Sequence, residues 1–170
     1  MKSLFDTRRE HPVTLVALDP ISRRILQLLV ADGRASYQAL ADEVGLSRPA
    51  VMERVKRLED GGYILGYTAR LDRARTGFPI TAFVSVRYPA SDAEGVEPAV
   101  RALEANPSVL ECHHVAGEDC YIMKVAAPSL EALERILRAL REPGLAVATR
   151  TTIVLSSVFE KAGVAPVELD

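Results

Sequence analysis

The hydrophobic spacing is helical throughout from Pro20 to about Asp60, and alternation of period 2 first appears from Phe78 onward. A period near 3.6 buries one stripe of a helix and a period of 2 buries one face of a strand, so the two stretches belong to different packing units. In the first, Ile21, Ile25 and Leu28 or Leu29 recur at helical spacing with Arg23, Arg24 and Gln27 between them, and Gly33 supplies a stop. Ser36 is placed to cap a second, short helix whose inner stripe is Leu40, Ala41 and Val44, with Gly45 as its C-terminal cap. Ser47 heads a third helix. Pro49 fits its first turn because a missing N–H costs nothing there, and Val51, Val55 and Leu58 share one face until Gly61 and Gly62 end it.

The next stretch, YILGYTARLD (63–72), is rich in β-formers around Gly66 and predicts a two-stranded wing, followed by a linker over 73–79. Beyond the linker the order is strand (Phe78–Tyr88), helix (Asp92–Ala105), strand (Ser108–Val115), strand (Cys120–Ala126), helix (Leu130–Arg141) and strand (Ala146–Phe159). This βαββαβ order predicts a ferredoxin-like four-stranded antiparallel sheet with both helices on one face. The fold class is therefore α+β: a winged helix-turn-helix over 18–72 and a ferredoxin-like domain over 80–160, flanked by an extension (1–17) and a tail (161–170). Ala82, Val84 and Val86 alternate with Phe83, and Ile153 and Leu155 with Val154 and Val158. Apolar groups on both faces predict that another sheet, most simply from a second copy, covers the uncovered face; β-propensity alone is the plainer alternative.

With 48% hydrophobic and 26% charged residues in 170, the composition excludes disordered, collagenous and disulfide-scaffold classes. No apolar run reaches the ~18 residues that cross a bilayer, and the opening segment has neither a sustained apolar core nor a small-residue cleavage site, so a cytoplasmic protein is expected. Its two cysteines, Cys112 and Cys120, are expected as free thiols there. The net charge of −2 hides an asymmetry: residues 1–75 hold 13 basic and 10 acidic side chains, residues 76–170 hold 8 and 13. One part of such a chain is suited to a polyanion.

Three short helices with Gly45 in the turn between the last two make a helix-turn-helix whose third helix can enter the major groove. With Val51 at the origin of a helical wheel, Val55 and Leu58 fall within about 40° of it, and Pro49, Glu53, Lys56 and Arg57 lie about 120–200° away. Arg48, in the first turn, can pair with guanine O6 and N7 in bidentate fashion, while Lys56 and Arg57 suit phosphate. Ser36 and Ser47 bring hydroxyl, backbone amides and helix dipole together where phosphate oxygens would lie, although a serine ahead of a helix is also a plain cap. Arg54 borders the buried stripe and reads as a structural salt-bridge partner. Arg70, Arg73 and Arg75 make the wing and linker basic.

The stretch from Leu18 to Asp72, with its LS-x3-V-x2-RV-x-RLE-x2-G-x-I pattern, and a following domain that contains VAGEDCYIMKV and ends TRTTIVLSSV, resemble the Lrp/AsnC family of bacterial and archaeal regulators. The resemblance runs to about Phe159. It implies a winged helix-turn-helix, a hinge, and an effector domain that dimerises through its sheets, assembles dimers into octamers and senses amino acids between dimers through a Gly-x-Asp loop, here Gly117, Glu118 and Asp119. Pro20 stands where the family often has an acidic or polar residue, Tyr63 where a small aliphatic is usual, and residues 1–17 have no counterpart; their role is open, a disordered arm or a segment (Val13–Leu18) pairing at a sheet edge.

Read on its own residues, VAGEDCY is a hairpin connection in which Gly117 permits positive φ and Asp119 bonds its own turn. The same loop suits a free amino acid, because turn amides can hold a carboxylate while an acidic side chain receives an ammonium. Tyr121, Thr149 and Thr151 are further candidates for that effector site. Cys112, His113, His114 and Cys120 are the residue types that hold zinc, but a loop at 116–119 pairs Val115 with Cys120, separates the cysteines by about 10 Å and points the histidines to opposite faces. No metal, cofactor or catalytic residue is expected, since no nucleophile–base pair or phosphate loop stands out. The reading is an amino-acid-responsive transcriptional regulator that binds double-stranded DNA. The rival classes are an enzyme regulatory subunit, and an assembly protein whose helix-turn-helix makes protein contacts only.

Overall fold

The computed structural model describes residues 18–88, 98, 100–140, 148–161 and 163–167. The N-terminal extension, the start of the helix expected from Asp92, and the start of the last strand at Ala146 lie outside them. The described residues divide into two compact units, one running to Arg70 and including the segment from Glu160, the other spanning Leu71–Phe159.

In the first unit, α1 (Pro20–Ala31), α2 (Tyr37–Val44) and α3 (Arg48–Asp60) form where the helical spacing places them. Asp19 caps α1 by accepting from the amides of Ile21 and Ser22, each at 3.1 Å, and Pro20 occupies the first helical position, where its fixed φ suits the turn. Ser36 caps α2 through the Ala39 amide (3.1 Å) and Ser47 caps α3 through the Ala50 amide (3.4 Å). Gly45 ends α2 in the left-handed conformation (φ 67°, ψ 33°), which a side chain would oppose, and so sets the α2–α3 turn. Ile25, Leu26, Leu40, Ala41, Val51, Val55 and Leu58 are buried together as one core.

The expected wing is absent: no residue from Ile64 to Asp72 pairs in a strand. Gly66 is extended (φ 159°) rather than turned, so its flanks do not fold back on each other. The β-formers there have other partners. The amides of Tyr63 and Ile64 both donate to the Leu58 carbonyl, Ile64 packs on the helical core, and Tyr67 donates its hydroxyl to Glu59 at 2.9 Å. Further along, Arg70 donates to the carbonyl of Glu160 at 3.0 Å, and Gln27 of α1 donates to that of Pro166 at 3.3 Å. The segment over 72–77 is a hydrogen-bonded turn, with Phe78 N donating to Arg73 O at 2.7 Å.

The second unit is a four-stranded antiparallel sheet, β1 (Ile80–Arg87), β2 (Val109–His114), β3 (Tyr121–Ala127) and β4 (Ala148–Ile153), in the order β2-β3-β1-β4. This is the expected ferredoxin-like order. Ala82, Val84 and Val86 of β1 with Tyr121, Met123 and Val125 of β3 face α4 (Leu130–Ala139) and the helical segment that ends in a 3-10 turn at Leu103–Ala105. Phe83, Ser85 and Arg87 alternate with them and face away, across from Lys124, Ile122, Thr152 and Arg150 in the register. No described element covers that side, and Phe83 remains 42% exposed there.

The last strand stops at Ile153, six residues short of the expected end at Phe159. Val154 makes one further bond to Thr81 O; beyond it the neighbouring strand begins after Pro79, which has no N–H to offer, and the ladder cannot continue. Leu155, Val158 and Phe159 are left 97%, 91% and 77% exposed.

Candidate functional site

The outward side of α3 carries the residues expected to read DNA. Val51, Val55 and Leu58 are buried, while Arg48, Pro49, Glu53, Lys56 and Arg57 are exposed. Arg57 lies 3.8 Å from Glu53 one turn away, a distance that leaves the guanidinium largely to solvent. Arg48 and Lys56 have no ion-pair partner among the described residues. The Ser36 and Ser47 oxygens accept from helix amides, which leaves each exposed hydroxyl its own proton to donate. Arg54 is held against Asp19 at 2.9 Å and against Ser22 Oγ at 3.2 Å, the structural role expected for it. Asp19 receives the Ser22 hydroxyl at 2.6 Å, and that bond with the nearby Arg54 charge keeps its carboxyl below the usual aspartate range.

At the second site, Gly117 has φ 147°, a conformation side chains resist, in the connection between β2 and β3. Val115 N donates to Cys120 O at 2.9 Å and Cys120 N to Val86 O at 2.8 Å, which fixes the base of the loop on β1. Asp119 is turned inward, its side chain 13% exposed, and accepts from Arg150 at 2.7 Å; Arg87 stands 4.0 Å from its other oxygen and 3.2 Å from Glu118. Two acidic residues of the loop thus meet two arginines of the central and edge strands. Neither arginine was among the sequence candidates. The available signal was alternation: Ser85 and Arg87 fall opposite Val84 and Val86, and Arg150 pairs with Ser85, so both arginines share the face away from the helices.

Three candidates are placed elsewhere. Thr149 and Thr151 pair with Val86 and Val84 and so face the helical side, opposite Arg150. Tyr121 follows the loop directly but is buried in the core, its ring 5.0 Å from that of His114 and 6.0 Å from that of Tyr88. Cys112 pairs with Met123, His113 with Ile122 and His114 with Tyr121, so the two histidines alternate across the faces of β2; both cysteines are free, and partial desolvation raises the Cys112 thiol pKa.

A capped helix-turn-helix followed by a helix-backed sheet with a charged loop at its end defines a two-unit DNA-binding protein with a ligand-type domain. Residues 18–59 match the AsnC-type helix-turn-helix domain and residues 81–164 the Lrp/AsnC ligand binding domain. The chain is 39% identical over 143 residues to the HTH-type transcriptional regulator LrpA of Mycobacterium tuberculosis, covering 84% of this chain and 93% of that one. It is 36% identical over 143 residues to the leucine-responsive regulatory protein of Escherichia coli, covering 83% and 87%. Its structure resembles that of a feast or famine regulatory protein from M. tuberculosis complexed with L-methionine, with a TM-score of 0.80, 38% identity and coverage of 88% and 100%. The chain belongs to the Lrp/AsnC family.

Proposed function

We propose that this protein is a cytoplasmic, amino-acid-responsive transcriptional regulator that reads operator DNA with α3 and takes its effector at the Gly117–Asp119 loop. The observation that carries the reading is the two-sidedness of α3, whose apolar residues are consumed by the core while Arg48, Lys56 and Arg57 stand exposed beside two capped helix starts. Arg48 reads a base edge; Lys56, Arg57, Ser36 and Ser47 hold phosphate, and Pro49 and Glu53 line the same face. The named relatives are transcriptional regulators, and the L-methionine complex among the neighbours supports an amino acid as the effector class. The acting form is a homodimer that assembles further, to an octamer, with the effector between dimers.

Operator selection from random duplexes, followed by binding titrations at several salt concentrations, tests the DNA reading. The expected result is one enriched pseudo-palindrome and an affinity that falls linearly in log–log form with salt. Self-association without salt-dependent DNA binding would instead identify an assembly protein. For the loop, Asp119→Ala should remove the thermal shift given by the effector, with operator affinity in its absence unchanged within about threefold, because an ammonium losing its carboxylate forfeits a charge-assisted bond of about 1.5–3 kcal/mol. Sedimentation of the same samples separates this from loss of assembly.

A further inference from the structure

We propose that Arg150 is the carboxylate anchor of the effector site, so that an amino acid binds by exchanging the Asp119–Arg150 ion pair for two ion pairs of its own. The proposal rests on the loop reading above and adds to it the group that recognises the other end of the ligand.

Asp119 is the inward-turned acid of the loop, and its Oδ2 already holds a cation, the Arg150 guanidinium, at 2.7 Å. An incoming ammonium must therefore replace Arg150 or share the carboxylate with it. The two partners are unequal: the Asp119 side chain is 13% exposed and the Arg150 side chain 66% exposed, so the aspartate is fixed in the structure and the guanidinium is free to swing. Arg150 has no other ion-pair partner among the described residues. Arg87 differs, because it also stands 3.2 Å from Glu118 and keeps that partner if Asp119 is taken. Once released, Arg150 is an unpaired guanidinium one side chain away from a bound ammonium. A free amino acid presents its carboxylate on the same carbon as that ammonium, and the planar fork of arginine accepts a carboxylate in bidentate fashion. One internal pair becomes two pairs with the ligand, and the count of charges stays balanced. The strand supplies the anchor: Arg150 sits between Thr149 and Thr151 on the face of β4 opposite theirs, across from Ser85. Two residues before Asp119, Gly117 has nothing within 4 Å of where a Cβ would stand, so the loop backbone there faces open space.

The exchange demands both charges of the ligand, and this supplies the test. The full-length protein is screened for thermal shift with each of the twenty protein amino acids, and the tightest binder is then compared with its own carboxamide by isothermal titration. The carboxamide keeps the ammonium and lacks the carboxylate. It should bind the parent protein about tenfold or more weakly than the acid. Arg150→Gln should weaken the acid about as much and bring acid and carboxamide within about threefold of each other, while Arg150→Lys restores part of the preference. Equal binding of acid and carboxamide by the parent overturns the proposal without any variant. So does an Arg150→Gln protein, assembled as the parent is, that keeps the parent's preference; the loop reading then stands if Asp119→Ala still abolishes binding. If no amino acid binds the parent, the loop reading falls and this proposal with it.

Discussion

The helical unit and the sheet unit each hold an aspartate against an arginine, and the two pairs do different work. Asp19 meets Arg54 at 2.9 Å while also capping α1 and receiving the Ser22 hydroxyl, so every lone pair it offers serves the fold. Asp119 meets Arg150 at 2.7 Å with no such second duty toward a helix, and its arginine is far more exposed than Arg54, whose side chain is 25% exposed. The surfaces differ in the same sense. Between Pro20 and Asp60 the helices bury their stripe, and the most exposed large apolar residue there, Met52, is 44% exposed; the unit's strongly exposed apolar residues, Leu65, Val164 and Val167, lie outside its helices. In the sheet unit Leu155, Val158 and Phe159 are almost entirely exposed within five residues, next to a sheet face that no described element covers. The three helices bury their own apolar stripe and leave a polar outer side, whereas the chain after β4 leaves apolar side chains uncovered, the kind of surface the proposed contact with a second copy would use.

The largest expected effect breaks the comparison at its apolar end. Each large apolar side chain that a second copy buries contributes about 1.5–3 kcal/mol, so Leu155→Ser, Val158→Ser and Phe159→Ser combined in the full chain should weaken self-association by at least about a hundredfold. Sedimentation equilibrium reads this directly. A triple variant that remains as associated as the parent would show that these residues face solvent in the assembly, and the sheet face at Phe83 would be the next surface to vary.

A smaller effect is expected on DNA. Arg48→Ala should cost about 1–3 kcal/mol on the selected operator and relax preference at one base pair per half-site, while Lys56→Ala weakens all sequences alike and lowers the salt slope by about one. Equal loss on operator and random duplex for Arg48→Ala would place that arginine on phosphate.

The helical unit was legible because its signals are local: a cap, a stripe and a left-handed glycine all act within one turn or two, as Ser47, Val51 and Gly45 show. The strands were legible for a similar reason where they alternate, as β1 does and β3 does over its first five residues, and the βαββαβ order of segments then gave the sheet order. Two errors came from reading strand propensity without knowing the neighbour. Tyr63, Ile64 and Tyr67 have the composition of a wing, but packing on α3 and the bond to Glu59 won; Val154 to Phe159 have the composition of a strand, but Pro79 ended the partner. The loop residues Gly117 and Asp119 stood out by their turn chemistry. Arg150 did not, because it lies 31 residues from Asp119 and only the β1–β4 register reveals which of Thr149, Arg150 and Thr151 shares a face with Arg87.

The smallest expected effect returns to the two aspartates and separates them by pH. The Ser22 hydroxyl and then Arg54 stabilise the ionised form of Asp19, so its pKa in the folded protein is lower than in the unfolded chain. A depressed folded pKa gives stability that is present above the unfolded aspartate value, near 3.8, and lost as pH falls through the folded one. Asp19→Ala should therefore lower stability at neutral pH by about 1 kcal/mol, the usual loss for a helix cap, with or without effector, and the difference between variant and parent should shrink as pH drops below that value. Asp19→Asn keeps an oxygen that can cap but not the charge, so it should fall between them and remove the acid-dependent part. Chemical denaturation at pH 7 and at successively lower pH measures both. If Asp19→Ala instead alters the effector's thermal shift while leaving stability unchanged, the division between a closed pair in the helices and an exchangeable pair in the sheet is wrong, because an aspartate that only holds the fold has no route to discriminate a ligand.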